Sequence, residues 1–200
     1  MNKRSTIFFA LFTMATFFAH AQTTSGSMML GGGFRIYTQG QESNEDYDYS
    51  ELEFSPSFGY FVTDNLVVGL NFTVNTTKQD NGGTAQKYNA IALGPFARFY
   101  KFTSNEQFAF FAQAGFNFGS GKTDYTPGGE TKSSFVNFNI SPGFAYFFNN
   151  HWAAELALSG FSVSSRDPNK DVNDDKYSTV IFDIRSFNPS LGIRYHFGGN

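Results

Sequence analysis

The chain has 200 residues, enough for one domain or at most two small ones. Its 27 Phe and 10 Tyr, with only 16% charged residues, exclude a disordered chain, which is poor in aromatics. The absence of Cys excludes a disulfide framework, a zinc knuckle and a thiol nucleophile, and a formal net charge of −3 provides no basic field for nucleic acid.

Lys3 and Arg4 precede an apolar stretch from Ile7 to Phe18, and Ala19-His20-Ala21 supplies an A-x-A cleavage pattern. Residues 1–21 are therefore expected to be a secretory signal peptide, leaving 22–200 as the mature domain. That part contains no apolar run of the length a membrane-spanning helix needs.

From Met28 onward, apolar and small or polar residues alternate, which is the signature of strands with two different faces. The apolar set begins with Leu30, Phe34 and Ile36, then Leu52, Phe54 and Phe58, then Leu66 to Val74 at every second position. It continues through Ile91, Leu93 and Phe99, through Phe108, Phe110, Phe116 and Phe118, and through Val136, Phe138, Ile140 and Phe144. Trp152, Ala154 and Leu156 form a seventh segment, and Leu191, Ile193, Tyr195 and Phe197 end an eighth. Upstream of Phe187 the parity slips, and a bulge near Arg185 would repair it. Four segments share a Pro-centred core at Pro56, Pro95, Pro142 and Pro189, spaced 39, 47 and 47 residues apart. Each repeat is then one hairpin, and the four Pro predict a shared bulge or kink, because Pro removes a ladder donor.

The connections alternate as well. Polar stretches at 39–49, 77–87, 121–132 and 164–179 are expected as long loops, and 62–65, 102–106 and 149–151 as tight turns. Long loops at one end and tight turns at the other describe an up-and-down antiparallel barrel of eight strands, of the transmembrane type.

The environment follows from the charges. One face carries almost none; the other carries Arg35, Glu51, Glu53, Arg98, Glu155 and Arg194. Arginine at a bilayer midplane costs roughly 2–4 kcal/mol, so these six side chains are expected inside, pairing in a low dielectric and filling the lumen. Hairpin arithmetic brings Arg35 near Glu51 and Glu53, Glu155 beside Arg194, and Arg98 across from them. Rim solvation of some of them, Glu51 in particular, is the competing reading. Outward aromatics gather near the tight turns (Phe58, Tyr60, Phe99, Phe108, Tyr146, Phe148, Trp152, Tyr195, Phe197), as an interfacial girdle would.

The ending Ser190-Leu191-Gly192-Ile193-Arg194-Tyr195-His196-Phe197 resembles the β-signal of outer-membrane proteins, with Gly192, Tyr195 and Phe197 at its defining positions. In that family the final aromatic is usually terminal, whereas Gly198-Gly199-Asn200 follow here. With the leader and the eight alternating segments, the mature chain resembles the outer-membrane β-barrel domain family of OmpA-type and OmpX-type barrels. The resemblance implies a Gram-negative outer-membrane location, contact with outer-membrane lipid and recognition by the barrel-assembly machinery. It also implies a structural or surface-interaction role, with a surface partner meeting the long loops; a monomer is expected.

A narrow porin-like channel is the second reading and a soluble lipocalin-like carrier the third. No enzyme is expected. Barrel enzymes of this kind place His at the outer rim, whereas His151 and His196 fall at the inner end. No catalytic residue, metal site or cofactor is assigned. Asp167, Asn169, Asp171, Asn173 and Asp175 recur at the spacing of a calcium loop. Val172 replaces the turn Gly and Ser178 the final Glu, so a solvated acidic loop is the better reading.

Overall fold

The computed structural model describes residues 23–41, 44–172, 176–182 and 190–198. The signal-peptide expectation, the Pro189 repeat and the bulge expected near Arg185 lie outside them, as do three residues of the acidic loop, 173–175.

Alternating side chains are compatible with one wall between two solvents, and the chain forms such a wall. The strands are β1 (Met28–Gln41), β2 (Asn44–Phe61), β3 (Leu66–Asn81), β4 (Ala85–Phe102), β5 (Phe108–Thr126) and β6 (Glu130–Phe147). They are followed by β7 (Trp152–Ala157), β8 (Phe161–Asp167), β9 (Tyr177–Phe182) and β10 (Ser190–Phe197). Sequential neighbours pair antiparallel, β7 and β8 sharing the flank of β6 and so forming one stave. β10 and β9 pair with β7 and β8 respectively. The last strand returns to the first, Phe197 opposite Met28 and Ile193 opposite Gly32. The product is a closed eight-stranded antiparallel barrel.

Three of the four stretches expected as long loops, 39–49, 77–87 and 121–132, are mostly strand. β3 and β4 run on until only 82–84 connect them, and β5 and β6 until only 127–129 do. β3 to β6 have 16, 18, 19 and 18 residues, whereas crossing a bilayer takes about 9–11. The surplus stands above the membrane as a stiff collar. Its two faces are both wet, so it carries mostly polar residues on both faces and loses the alternation that marks a strand in sequence. The short connections 62–65, 103–107 and 148–151 lie at the opposite, periplasmic end.

The expected Pro irregularity appears at one of the three described positions. At Pro142 the register of β6 changes between its pairing with β7 (Gly143 opposite Ala157) and with β8 (Ile140 opposite Phe161), while residues 158–160 interrupt the stave. At Pro56 and Pro95 the ladder to one neighbour skips two pairs, but the register before and after is unchanged. A missing donor alone therefore does not force a bulge. Beside Pro95 the strands come unusually close: a Cβ on Gly94 would lie 1.9 Å from the Phe116 carbonyl oxygen.

Apolar rings cover the outside. Phe54, Leu70, Leu93, Phe110 and Phe118 are about half exposed, and among the described residues no protein layer covers this face. Near the short turns the outward aromatics touch each other: Phe108 with Tyr146 at 4.8 Å, Trp152 with Tyr195 at 4.8 Å and Tyr195 with Phe197 at 5.8 Å between ring centroids. A surface that is apolar around its whole waist is stable only in a hydrocarbon solvent.

Candidate functional site

The core of this protein is the inside of the barrel's periplasmic half. Each strand there turns its second set of side chains inward, and that set is large as well as apolar. Met29, Phe61, Val67, Tyr100, Phe147 and Ala153 are completely excluded from solvent. Phe61 and Tyr100 stack at 6.0 Å, and the His196 ring lies between Phe61 at 5.7 Å and Phe147 at 5.3 Å. This aromatic layer lies on the parity expected to be small or polar. The signal was available in Phe61, Tyr100, Phe111 and Phe147, each of which directly follows or precedes an outward ring.

Directly above lies a charged layer. Arg98 donates from Nη1 to Glu155 Oε1 at 2.5 Å and to the Tyr100 hydroxyl at 2.8 Å. Its Nε and Nη2 donate to Gln113 Oε1 at 2.9 and 2.6 Å. The Tyr100 hydroxyl donates to Glu155 Oε1 at 2.9 Å. Arg194 Nε donates to Glu155 Oε2 at 2.8 Å, and its Nη1 to Ser57 Oγ. The Arg98 guanidinium also lies over the Phe111 ring, 4.2 Å from its centroid. Side-chain exposure is 3% for Arg98, 3% for Glu155 and 13% for Arg194, so the single buried carboxylate holds one buried and one partly buried cation. β4, β7 and β10 supply the three charges. The barrel's closure makes β4, far from β7 in the sheet order, face it across a narrow lumen.

The other three residues of the expected charge network stand higher. Arg35 lies opposite Glu53 in the β1–β2 ladder, but its ion pair is diagonal, to Glu51 at 3.7 Å, with Arg35 60% and Glu51 18% exposed. Asn75 Nδ2 donates to Glu51 at 3.1 Å. Glu53 makes no ion pair among the described residues. The charges thus separate by height: two Arg and one Glu in the floor, one Arg and two Glu on the wall above. Tyr100, Gln113 and Ser57 complete the floor's hydrogen bonding, and no charge marks them in the sequence. Tyr100 follows Arg98 by two positions and so shares its face.

Above the floor the lumen is not filled. A cavity of about 1560 Å³ rises from Arg98, Glu155 and Arg194 to Tyr47, Tyr88 and Tyr177 near the outer strand ends. Its wall is rich in side-chain amides, among them Asn71, Asn75, Asn117, Asn137 and Asn139. The side-chain filling expected of the lumen is confined to the periplasmic half. Small residues explain the difference, because Gly33, Ser55, Ala92 and Ser141 line the cavity where Phe61, Tyr100 and Phe147 stand below.

Neither histidine of the described residues lines the cavity. His196 is buried in the aromatic layer, and His151 is exposed and stacks on Tyr195 at 5.8 Å. Among the described residues no three His, Asp or Glu side chains gather so as to hold a metal ion. In β10, Tyr195 and Phe197 face outward into the ring cluster beside Trp152, and Gly192 stands opposite Glu155 in the ladder to β7.

A closed antiparallel cylinder with an apolar waist, charges enclosed and short turns at one end defines an integral membrane barrel. The family described as the outer membrane protein beta-barrel domain matches residues 7–197, and the chain belongs to that family. It is an outer-membrane protein. Among solved structures it is similar to the N-terminal β-barrel domain of Pseudomonas aeruginosa OprF, with 15% identity over 86% of this chain and 98% of that one, at a TM-score of 0.44. It is also similar to the outer membrane protein OprG of Pseudomonas aeruginosa, with 14% identity over 90% of this chain and 100% of that one, at a TM-score of 0.42. No curated protein matches the chain.

Proposed function

We propose that this protein is a non-enzymatic outer-membrane barrel that conducts no solute and presents its outer collar as a contact surface. The observation that carries the reading is the double floor. A layer of buried Arg98 and Glu155 with partly buried Arg194 rests on an aromatic layer whose largest members have no solvent exposure. Ions entering the cavity from outside would meet side chains in van der Waals contact below it, with no water to replace their hydration shells. The surface available to a partner is the collar and its connections, within residues 39–49, 77–87, 121–132 and 164–179. During assembly, β10 with Gly192, Tyr195 and Phe197 is the strand read by the barrel-assembly machinery. Its pairing to β1 at the closing seam supports that role.

Planar-bilayer recording of the purified wild-type protein tests the reading. The expected trace is flat, beside a known porin as positive control. A large, stable ohmic conductance would overturn it. The cavity of about 1560 Å³ favours a narrow channel as the second reading; that reading expects small, regular steps in the same recordings.

A further inference from the structure

One polar row of inward side chains runs around the cavity wall. Ser57 lies opposite Asn71 in the β2–β3 ladder and Asn117 opposite Asn137 in the β5–β6 ladder. Asn137 lies opposite Ser164 on β8, and Ser164 opposite Thr179 on β9. Gly94, opposite Asn71, continues the row on β4, where a Cβ would lie 2.7 Å from Asn117 Cα. Strands of a membrane barrel tilt by about 35–45°, so a row that crosses them climbs as it turns. It begins at the floor, where Ser57 Oγ accepts from Arg194, and ends at Thr179, two residues from Tyr177 near the outer strand ends. Between β2 and β9 it crosses six strand spacings. At about 4.8 Å each, that is roughly 29 Å of wall.

No member of this row is charged. On neighbouring rows the amides have partners: Asn75 donates to Glu51 and accepts from Thr77, and Asn139 donates to Ser141. Among the described residues the side-chain amides of Asn71, Asn117 and Asn137 make no hydrogen bond, and all three line the cavity. A carboxamide offers two donors and an acceptor in one plane, so the row presents paired donors and acceptors to an occupant. The cations Arg98, Arg194 and Arg35 already contact carboxylates. Two rings border the row on its outer side. Phe135 stands two residues above Asn137, and Tyr88 lines the same cavity from β4. Each lies over a glycine of β5: a Cβ on Gly119 would be 2.1 Å from the Phe135 ring, and one on Gly121 2.5 Å from the Tyr88 ring. The Arg166 guanidinium lies over Tyr88, 5.4 Å from its centroid. Pockets for drug-sized ligands are mostly apolar and hold about 300–1,000 Å³. This one holds about 1560 Å³, and its wall is amide and hydroxyl with isolated rings. Such a wall suits an occupant that is long, rich in hydroxyls, uncharged, and built of rings with apolar faces.

We infer that the cavity binds the end of an uncharged oligosaccharide that enters from outside the cell. Asn71, Asn117 and Asn137 pair with its hydroxyls, and the Phe135 and Tyr88 rings receive the apolar faces of its sugar rings. The site lies above the floor and does not depend on whether the floor conducts.

An array of neutral and acidic oligosaccharides, probed with the full barrel in nanodiscs against empty nanodiscs, tests this. Wild type should bind neutral glycans, and calorimetric titration of the best of them should give a saturable site. The double variant Asn117→Ala/Asn137→Ala should bind that glycan about 30-fold more weakly, one net hydrogen bond being lost at each position. Lys87→Gln, on the outward face of β4, should bind as wild type does. No neutral glycan bound, a preference for acidic ones, or undiminished binding by the double variant would overturn the inference. So would equal damage from Lys87→Gln, which would put the site on the outside of the barrel. Should the double variant fail to fold, hydroxyl-radical footprinting of wild type decides. Glycan-dependent protection of Phe135 and Tyr88, with exposed His151 at the periplasmic end unchanged, supports the site; unchanged labelling of both rings refutes it.

Discussion

Replacing Glu155 by Gln tests the floor directly. The carboxylate accepts three hydrogen bonds, at 2.5 Å from Arg98, 2.8 Å from Arg194 and 2.9 Å from Tyr100, and is 3% exposed. Gln keeps the shape and one acceptor oxygen. It removes the negative charge and turns an amide NH₂ toward a guanidinium that can only donate. Buried Arg98 and partly buried Arg194 are then left without a counter-ion, and breaking a buried pair in this way costs about 3–5 kcal/mol. Arg194→Gln is different. It leaves Arg98 and Glu155 as a one-to-one pair and removes the more exposed of the two cations, so its cost should be smaller, about 1–2 kcal/mol. Arg98→Gln falls nearer the first value, because it also forfeits the bonds to Gln113 and the contact with Phe111. The assay is urea unfolding in detergent micelles followed by fluorescence of Trp152, the only Trp in the chain. The midpoint should fall in the order Arg194→Gln, Arg98→Gln, Glu155→Gln, with an unchanged denaturant slope. A Glu155→Gln variant within about 1 kcal/mol of wild type, or an Arg194→Gln variant as damaged as Glu155→Gln, would refute the claim that one buried carboxylate holds the floor.

Two further substitutions examine the wall. Leu70 lies mid-way along the apolar face of β3 and Asn71, next to it, lines the cavity. Leu70→Arg should destabilise the barrel in lipid vesicles by about 2–4 kcal/mol, and Asn71→Arg by clearly less; the reverse order in unfolding titrations would invert the inside and outside of the barrel. Gly94→Ala should abolish the heat-modifiable folded band on gels. Its methyl group would meet the Phe116 carbonyl oxygen at 1.9 Å and Asn117 Cα at 2.7 Å, backbone atoms that move only if β4 and β5 part. Gly83→Ala, with nothing within 4 Å of the added carbon, is the matched control and should fold normally.

The barrel was legible because a membrane-spanning wall has two solvents and every residue must choose one. Leu30, Phe54, Leu70, Leu93 and Phe118 make that choice unambiguous, and Arg35, Glu51, Glu53, Arg98, Glu155 and Arg194 fall on the opposite parity. The pairing of Glu155 with Arg194 followed from their heights on adjacent strands, and the approach of Arg98 from the narrowness of an eight-stranded cylinder. Two regions were illegible for opposite reasons. In the collar, Thr76 to Asn81 and Lys122 to Thr126 are polar at successive positions, because water lies on both sides. Sequence alternation vanishes there although the hydrogen-bonded ladder continues. At the periplasmic end, Tyr60-Phe61, Phe110-Phe111 and Phe147-Phe148 are apolar at successive positions, because lipid lies on one side and a dry core on the other.

Those two failures carry the functional reading further than the successes do. Where alternation fades toward polarity the wall leaves the membrane; where it fades toward apolarity the lumen is dry. Neither condition is needed to keep a cylinder in a bilayer, since strands of about 9–11 residues suffice to cross it. β5 has 19. The surplus is therefore invested at both ends: outside, in a rigid collar that holds a water-accessible, amide-lined cavity, and inside, in a seal of rings that excludes water beneath three charges. A barrel selected for passage would place its narrowest point in a polar ring that water can wet. Here a layer without solvent exposure joins Phe61, Tyr100 and Phe147, and the charged side chains above it hydrogen-bond to one another. It is this combination that supports the proposed reading of outward contact without conduction, and it makes the Glu155 carboxylate inside the barrel the group worth changing first.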